Sequence, residues 1–203
     1  MINTLIFDFG NVFIDLDIKN GLQESLKAFG ISALSEDIIK INEHYEIGTI
    51  STDDFIEFYA KKFPHLTKSK LINLWNNILK DFPTYRLDFI KNLKTKNKFK
   101  LILLSNTNEL HIEWIKKNIA FYEEFKACFN AFYLSHEIHL RKPSIDIFEF
   151  VLDTNNLKAE NCIFIDDNSN NIETAIKAGM KAWNINPEKD DIIDLFYNKK
   201  DLF

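Results

Sequence analysis

The chain has 203 residues, 46% of them hydrophobic, enough to bury a real core in one domain that carries an insertion. A formal net charge of −5 gives no general reason to bind nucleic acid or an anionic membrane. No apolar run reaches membrane-spanning length, and Asp8, Asp15 and Asp17 interrupt the N-terminal segment, so neither a membrane span nor a signal peptide is expected. Cys128 and Cys162 lack paired-thiol or zinc spacing and read as two buried free thiols in a reducing cytoplasm.

In chain order, Ile2 and Leu5-Ile6-Phe7 form an apolar run suited to a strand covered on both faces. It ends on Asp8 and then Gly10, where main-chain groups can come close to a ligand. An aspartate at a strand end either caps a turn or points into the crevice beyond the strands of an open parallel sheet. From about residue 18 to 80 the pattern is helical. Four apolar faces follow one another: Leu22, Leu26, Phe29; then Ile38, Ile41, Tyr45; then Phe55, Phe58, Tyr59; then Leu71, Leu74, Trp75, Ile78. Gly30, Gly48, Pro64 and Pro83 punctuate them, and Ser51 or Thr52 caps the third. The aromatics here are expected in a core, with a substrate pocket as their other use.

From Tyr85 helix and strand alternate. Leu87, Ile90 and Leu93 mark a helix, and residues 101–104 a buried strand that ends at Ser105-Asn106-Thr107-Asn108. Residues 131–134 form a shorter strand before Arg141-Lys142-Pro143, and a helix runs through Ile147, Phe148 and Val151. The strand 162–165 leads into Asp166-Asp167-Asn168. A helix at 172–178 stopped by Gly179, a strand near 182–185 and a helix near 192–196 complete the chain. The alternation predicts an α/β fold with a Rossmann-like parallel sheet and right-handed crossovers. Residues 1–17 and 81–203 make its core, and 18–80 the helical insertion.

In one parallel sheet the polar clusters that end three of these strands emerge on the same edge. Carboxylates gathered there repel one another unless a cation sits between them, and oxygen ligands of this kind suit Mg²⁺. Lys142 and the Ser105 region suit a dianionic group such as phosphate. Attack by an aspartate would then form an aspartyl-phosphate for water to cleave.

The four segments, in order, resemble the motifs of the haloacid dehalogenase superfamily of phosphohydrolases. Those around Phe9-Gly10-Asn11-Val12, Leu104-Ser105-Asn106-Thr107-Asn108, Tyr133-Leu134-Ser135 with Arg141-Lys142-Pro143, and Phe164-Ile165-Asp166-Asp167-Asn168 resemble its bacterial α-D-glucose-1-phosphate phosphatase type most. The resemblance implies Asp8 as nucleophile, with Ser105, Asn106 and Lys142 holding and neutralising a phosphoryl group. It also implies Mg²⁺ on Asp8, the Gly10 carbonyl, Asp166 and Asp167, with Asn171 where many relatives carry a further acid. Residues 18–80 are similar to the helical cap that such enzymes insert after the first motif, which closes over the site and sets substrate choice. The substrate expected is a small phosphorylated metabolite such as a sugar phosphate, and the chain a monomer or weak homodimer.

Gly10 departs from the family pattern, because most of its phosphatases have an acid–base aspartate two residues after the nucleophile. Such a group is typically worth ~10²–10⁴-fold in rate. Three readings stay open: a phosphatase that works without that aspartate, a 2-haloacid dehalogenase, and a phospholigand-binding protein without efficient turnover. The pair Asp166-Asp167 speaks against the second. His111 is a possible replacement acid or a packed helix residue. His44, Glu46 and Asp53 could reach substrate from the insertion or be merely solvated, and His136 and His139 lack metal-ligand spacing. Asp15 and Asp17 read as the hinge between the two parts.

Overall fold

The computed structural model describes all 203 residues, Met1–Phe203. Five strands, β1 (Thr4–Phe7), β2 (Lys100–Ser105), β3 (Ala131–Leu134), β4 (Cys162–Asp166) and β5 (Lys181–Asn184), form one sheet in the order β3-β2-β1-β4-β5. Every pairing is parallel. Phe7 lies level with Leu103 on one side and Ile165 on the other, so Asp8 leaves the sheet beside the ends of β2 and β4.

Both faces of the sheet are covered, which is why its strands are apolar at successive positions. Leu5, Phe7, Leu101, Leu103, Ile163 and Ile165 face one buried cluster, and Ile6, Ile102, Leu104, Cys162 and Phe164 face another. The first holds most of the core phenylalanines. Phe13, fully buried, meets Phe7 edge-on at 5.5 Å and Phe125 at 4.9 Å. Around the sheet lie α5 (Thr84–Lys96), α6 (Glu109–Asn118), α7 (Tyr122–Lys126), α8 (Ser135–Ile138), α9 (Ile145–Thr154) and α10 (Ser169–Lys177).

The stretch after β1 folds into α1 (Ile18–Phe29), α2 (Glu36–Glu46), α3 (Thr52–Lys62) and α4 (Lys68–Asn76). These have their own apolar cluster, with Ile38, Tyr45, Phe55, Leu71 and Leu74 among its buried members. Asp17 caps α1 by accepting from the Asn20 N–H, Gly30 ends it in the left-handed region at φ 71°, and Ser51 caps α3 through the Asp54 N–H. The two connections to the sheet run side by side: Lys80 donates to the Asp15 carbonyl, and Asp17 to that of Ile78.

Three boundaries differ from expectation. The fourth helix stops at Asn76, leaving Ile78 to pack from the connection. The last strand begins at Lys181 and ends at Asn184. The C-terminal helix is a 3-10 turn (Ile192–Asp194) followed by α11 (Leu195–Asn198), since Asp191 caps the turn at Ile193 and restarts the backbone there. Both cysteines are buried and free. No helix is long and apolar enough to cross a membrane.

Candidate active site

The sheet brings Asp8, Ser105, Asp166 and Asp167 to one edge, and Lys142 reaches them from the segment after α8. Lys142 is fully buried, and its three N–H bonds all have acceptors: Asp166 Oδ2 at 2.7 Å, Asp8 Oδ1 at 2.8 Å and the Leu104 carbonyl at 2.9 Å. Burial works against its charge, but Asp166 and Asp8 outweigh that and hold its pKa above the ordinary lysine value. The Asn106 side chain fixes this segment from both sides, donating to the Lys142 carbonyl at 2.8 Å and accepting from its N–H at 2.9 Å.

Asp8 Oδ1 accepts from Lys142 and from the Phe9 N–H at 2.7 Å, whereas Oδ2 has no protein partner. Burial raises the carboxyl's pKa above the ordinary aspartate value against the opposing pull of Lys142. Asp167 is similarly half-committed: Oδ2 accepts from Asn11 Nδ2 at 2.7 Å and Oδ1 is free, with burial raising its pKa against that hydrogen bond. Asp166 differs. Its Oδ2 takes hydrogen bonds from Lys142 and Asn171, its Oδ1 takes one from the Asn168 N–H, and its side chain has no exposed surface.

Asp8, Asp166 and Asp167 each offer a carboxylate oxygen within 4.8 Å of the others. When ionised, three carboxylates against the one ammonium leave a net charge of −2, which a divalent cation balances. The open donors are Asp8 Oδ2, Asp167 Oδ1 and the Gly10 carbonyl, which accepts no main-chain hydrogen bond. That all-oxygen set fits Mg²⁺. Asp166 belongs to the same cluster and also holds Lys142, with two hydrogen bonds on Oδ2 and one on Oδ1. Ser105 Oγ makes only a 3.4 Å contact to the Asn106 carbonyl, too long to occupy its proton.

Gly10 has Leu16 beside it: a Cβ built there meets Leu16 Cδ1 at 2.6 Å. An apolar side chain therefore stands next to the position of the missing acid. His111 is not its replacement. It is buried against Trp75, its Nε2 faces the Trp75 carbonyl at 3.1 Å and its Nδ1 the Asn108 amide at 3.1 Å, and burial lowers its pKa to about 4. Glu46 pairs with Arg141 at 3.0 Å, and burial raises its pKa. His44 faces Thr49 and His139 the Ile47 carbonyl, Asp53 is exposed, and burial lowers the pKa of His136. Asp15 pairs with Arg86 at 2.7 Å where the two connections meet.

Sequence reasoning assigned no role to three residues here. Asn11 holds Asp167, and Asn184, at the end of β5, donates to the carbonyls of Asp166 and Asp167. Ser135 Oγ accepts from the Thr107 N–H and lies 2.6 Å from the Glu46 carbonyl, joining the loop after β2 to α2. Asn184 and Ser135 were legible as polar residues at strand ends, the signal that had picked out Asp8.

A family model described as haloacid dehalogenase-like hydrolase matches residues 2–179. The chain belongs to that family. A D-ribitol-5-phosphate phosphatase from Bacteroides thetaiotaomicron is 27% identical over 193 residues, covering 90% of this chain and 91% of the relative. A haloacid dehalogenase family enzyme from the same organism, solved as a magnesium complex, superposes with a TM-score of 0.81 at 31% identity, covering 93% of this chain and 96% of that one. Its wild-type complex with magnesium and inorganic phosphate gives 0.80 at 29%, with 94% and 97% covered. This hydrolase therefore shares its parallel sheet and inserted helices with relatives along nearly its whole length.

Proposed function

We propose that this haloacid dehalogenase-like hydrolase is a Mg²⁺-dependent phosphatase that cleaves a small phosphomonoester with Asp8 as nucleophile. The observation that carries the reading is the asymmetry within Asp8: Oδ1 is held by Lys142 and the Phe9 N–H, and Oδ2 makes no hydrogen bond with the protein. The phosphate-bound relative and the phosphatase among the similar proteins support it.

Bond by bond, a carboxylate oxygen of Asp8 attacks phosphorus and the bond to the leaving oxygen breaks, giving an aspartyl-phosphate and the leaving group as its oxyanion, which takes a proton from water. Water then attacks the phosphorus, releasing phosphate and restoring Asp8. As Asp8 is phosphorylated its carboxylate loses its charge, so the Lys142 proton directed at it turns toward the phosphoryl oxygens. Ser105 donates its free proton to the same group. Mg²⁺, held by Asp8, Asp167 and the Gly10 carbonyl, would supply charge neutralisation for the phosphoryl oxygens. The helices of residues 18–80 act as a cap that shields the site and selects the alcohol.

The test is phosphate release from D-ribitol 5-phosphate, glucose 1-phosphate, a nucleotide and an activated aryl phosphate, with and without Mg²⁺. Wild type should turn over at least one compound only with the metal. Asp8→Asn, which keeps the shape and removes the nucleophile, should lower the rate by at least ~10³-fold. Absence of turnover on every compound would favour a phospholigand-binding protein.

A further inference from the structure

We infer that the interior of the helical unit receives the alcohol half of the substrate, and that this half is an apolar aryl group. The inference rests on the phosphatase reading above and names the substrate class it leaves open. A cavity of about 310 Å³ lies among α1, α2, α3 and α4, and 11 of its 16 lining residues are hydrophobic. Phe55, Tyr59 and Trp75 give it an aromatic wall. Ile18 and Leu22 also line it and are 53% and 41% exposed, so apolar surface stands in water where a bound group would cover it.

Two wall residues are hydrogen-bonded to the loop at the catalytic edge. The N–H and Nδ1 of His111 both bond the Asn108 side chain, in the loop that begins at Ser105. Glu46 meets the same loop through Ser135, whose Oγ bridges the Glu46 carbonyl and the Thr107 N–H. The cavity therefore borders the loop that offers its hydroxyl to phosphate, without including Asp8 or Lys142.

The polar groups of the wall are mostly engaged by the protein. Both His111 nitrogens have partners, Glu46 is paired with Arg141, and Asn42 Oδ1 accepts from the Tyr59 hydroxyl. The Ser25 hydroxyl, the Asn42 amide nitrogen and the Glu46 carboxylate, ion-paired with Arg141, are the wall's polar groups without a hydrogen bond, and no lysine or arginine faces in. These few groups cannot pair every hydroxyl of a buried polyol, and each one left unpaired weakens binding by roughly five- to a hundredfold. The reacting end gives an independent reason. With Gly10 and Leu16 in place of a proton donor, a leaving group that departs as a stabilised anion is favoured, and an aryl oxide is such a group.

The experiment compares kcat/KM for 2-naphthyl phosphate, phenyl phosphate and D-ribitol 5-phosphate, and follows binding of 2-naphthol alone by calorimetry. Phenol and naphthol leave with similar ease, so their difference reports burial of the second ring. Naphthyl should exceed phenyl by roughly tenfold or more, through KM. Naphthol should bind wild type with unit stoichiometry, and Ser25→Phe, which fills the cavity, should weaken that binding and bring the naphthyl-to-phenyl ratio toward one. Should Ser25→Phe not fold, Leu22→Asn at the rim must weaken naphthol binding instead. Faster turnover of D-ribitol 5-phosphate than of naphthyl phosphate, or no naphthol binding to folded wild type, overturns the inference. Naphthol binding without turnover of any ester sinks the phosphatase reading and leaves the cavity assignment standing.

Discussion

His111 shows what one buried side chain does to the acid stability of this protein. Its pKa of about 4 in the folded state lies below the ordinary 6.5, so the unfolded chain binds more protons between those values. The stability contributed by neutral His111 is fully present above pH 6.5 and is lost as the pH falls toward 4. The loss is on the order of 3 kcal/mol. Urea unfolding at pH 7 and at pH 4.5 should show it, and His111→Gln should shrink the difference between the two. The sequence offered a histidine just after a strand-end loop, equally suited to acid catalysis or to packing. The choice was made by Trp75, 36 residues away, whose ring stacks on the imidazole at 5.5 Å and whose carbonyl takes its Nε2 proton.

Among the elements, one contact that seats the helical unit on the sheet is the C-terminal end of α2 against α8. Arg141, the residue before Lys142, pairs with Glu43 at 2.9 Å and Glu46 at 3.0 Å, while Ser135 and His139 lie within hydrogen-bonding distance of the carbonyls of Glu46 and Ile47. Gly48 passes this contact at φ +66°, and a Cβ there would meet the His136 carbonyl oxygen at 2.1 Å. Backbone gives way less readily than a side chain. Gly48→Ala should therefore cost about 2–3 kcal/mol in thermal unfolding, from left-handed strain and overlap together. Gly30→Ala, with equal backbone strain but nothing within 4 Å, should cost less. From sequence both glycines were only helix punctuation, and their difference lies in what the tertiary fold lays against them.

At the scale of the whole molecule, the ionised site carries two more negative charges than positive ones at the centre of a folded chain, so a divalent cation should stabilise the native state itself. Mg²⁺ at a hundred times its dissociation constant should add about 2.7 kcal/mol, seen as a rise in Tm, and EDTA should remove both the rise and the phosphatase activity. Asp167→Asn should lose most of the rise. Asp166→Asn should instead lower stability with or without metal, because it leaves the buried Lys142 ammonium with a single carboxylate.

The alternation of strands and helices along the chain, the helical insertion and the gathering of Asp8, Ser105, Lys142 and the Asp166-Asp167 pair at strand ends were legible in the amino-acid sequence. Each rests on local pattern: apolar runs that must be covered on both faces, helical periodicity, and polar residues where strands end. The sharing of roles among those polar groups was not. Asp166 and Asp167 are adjacent and chemically identical, and only the fold places Lys142, Asn171 and the Asn168 N–H around one and Asn11 beside the other. The same holds for the cavity. Periodicity showed which residues of the four helices are apolar, but the space left between them depends on how α1 and α4 pack, and packing is a property of contacts between distant parts of the chain.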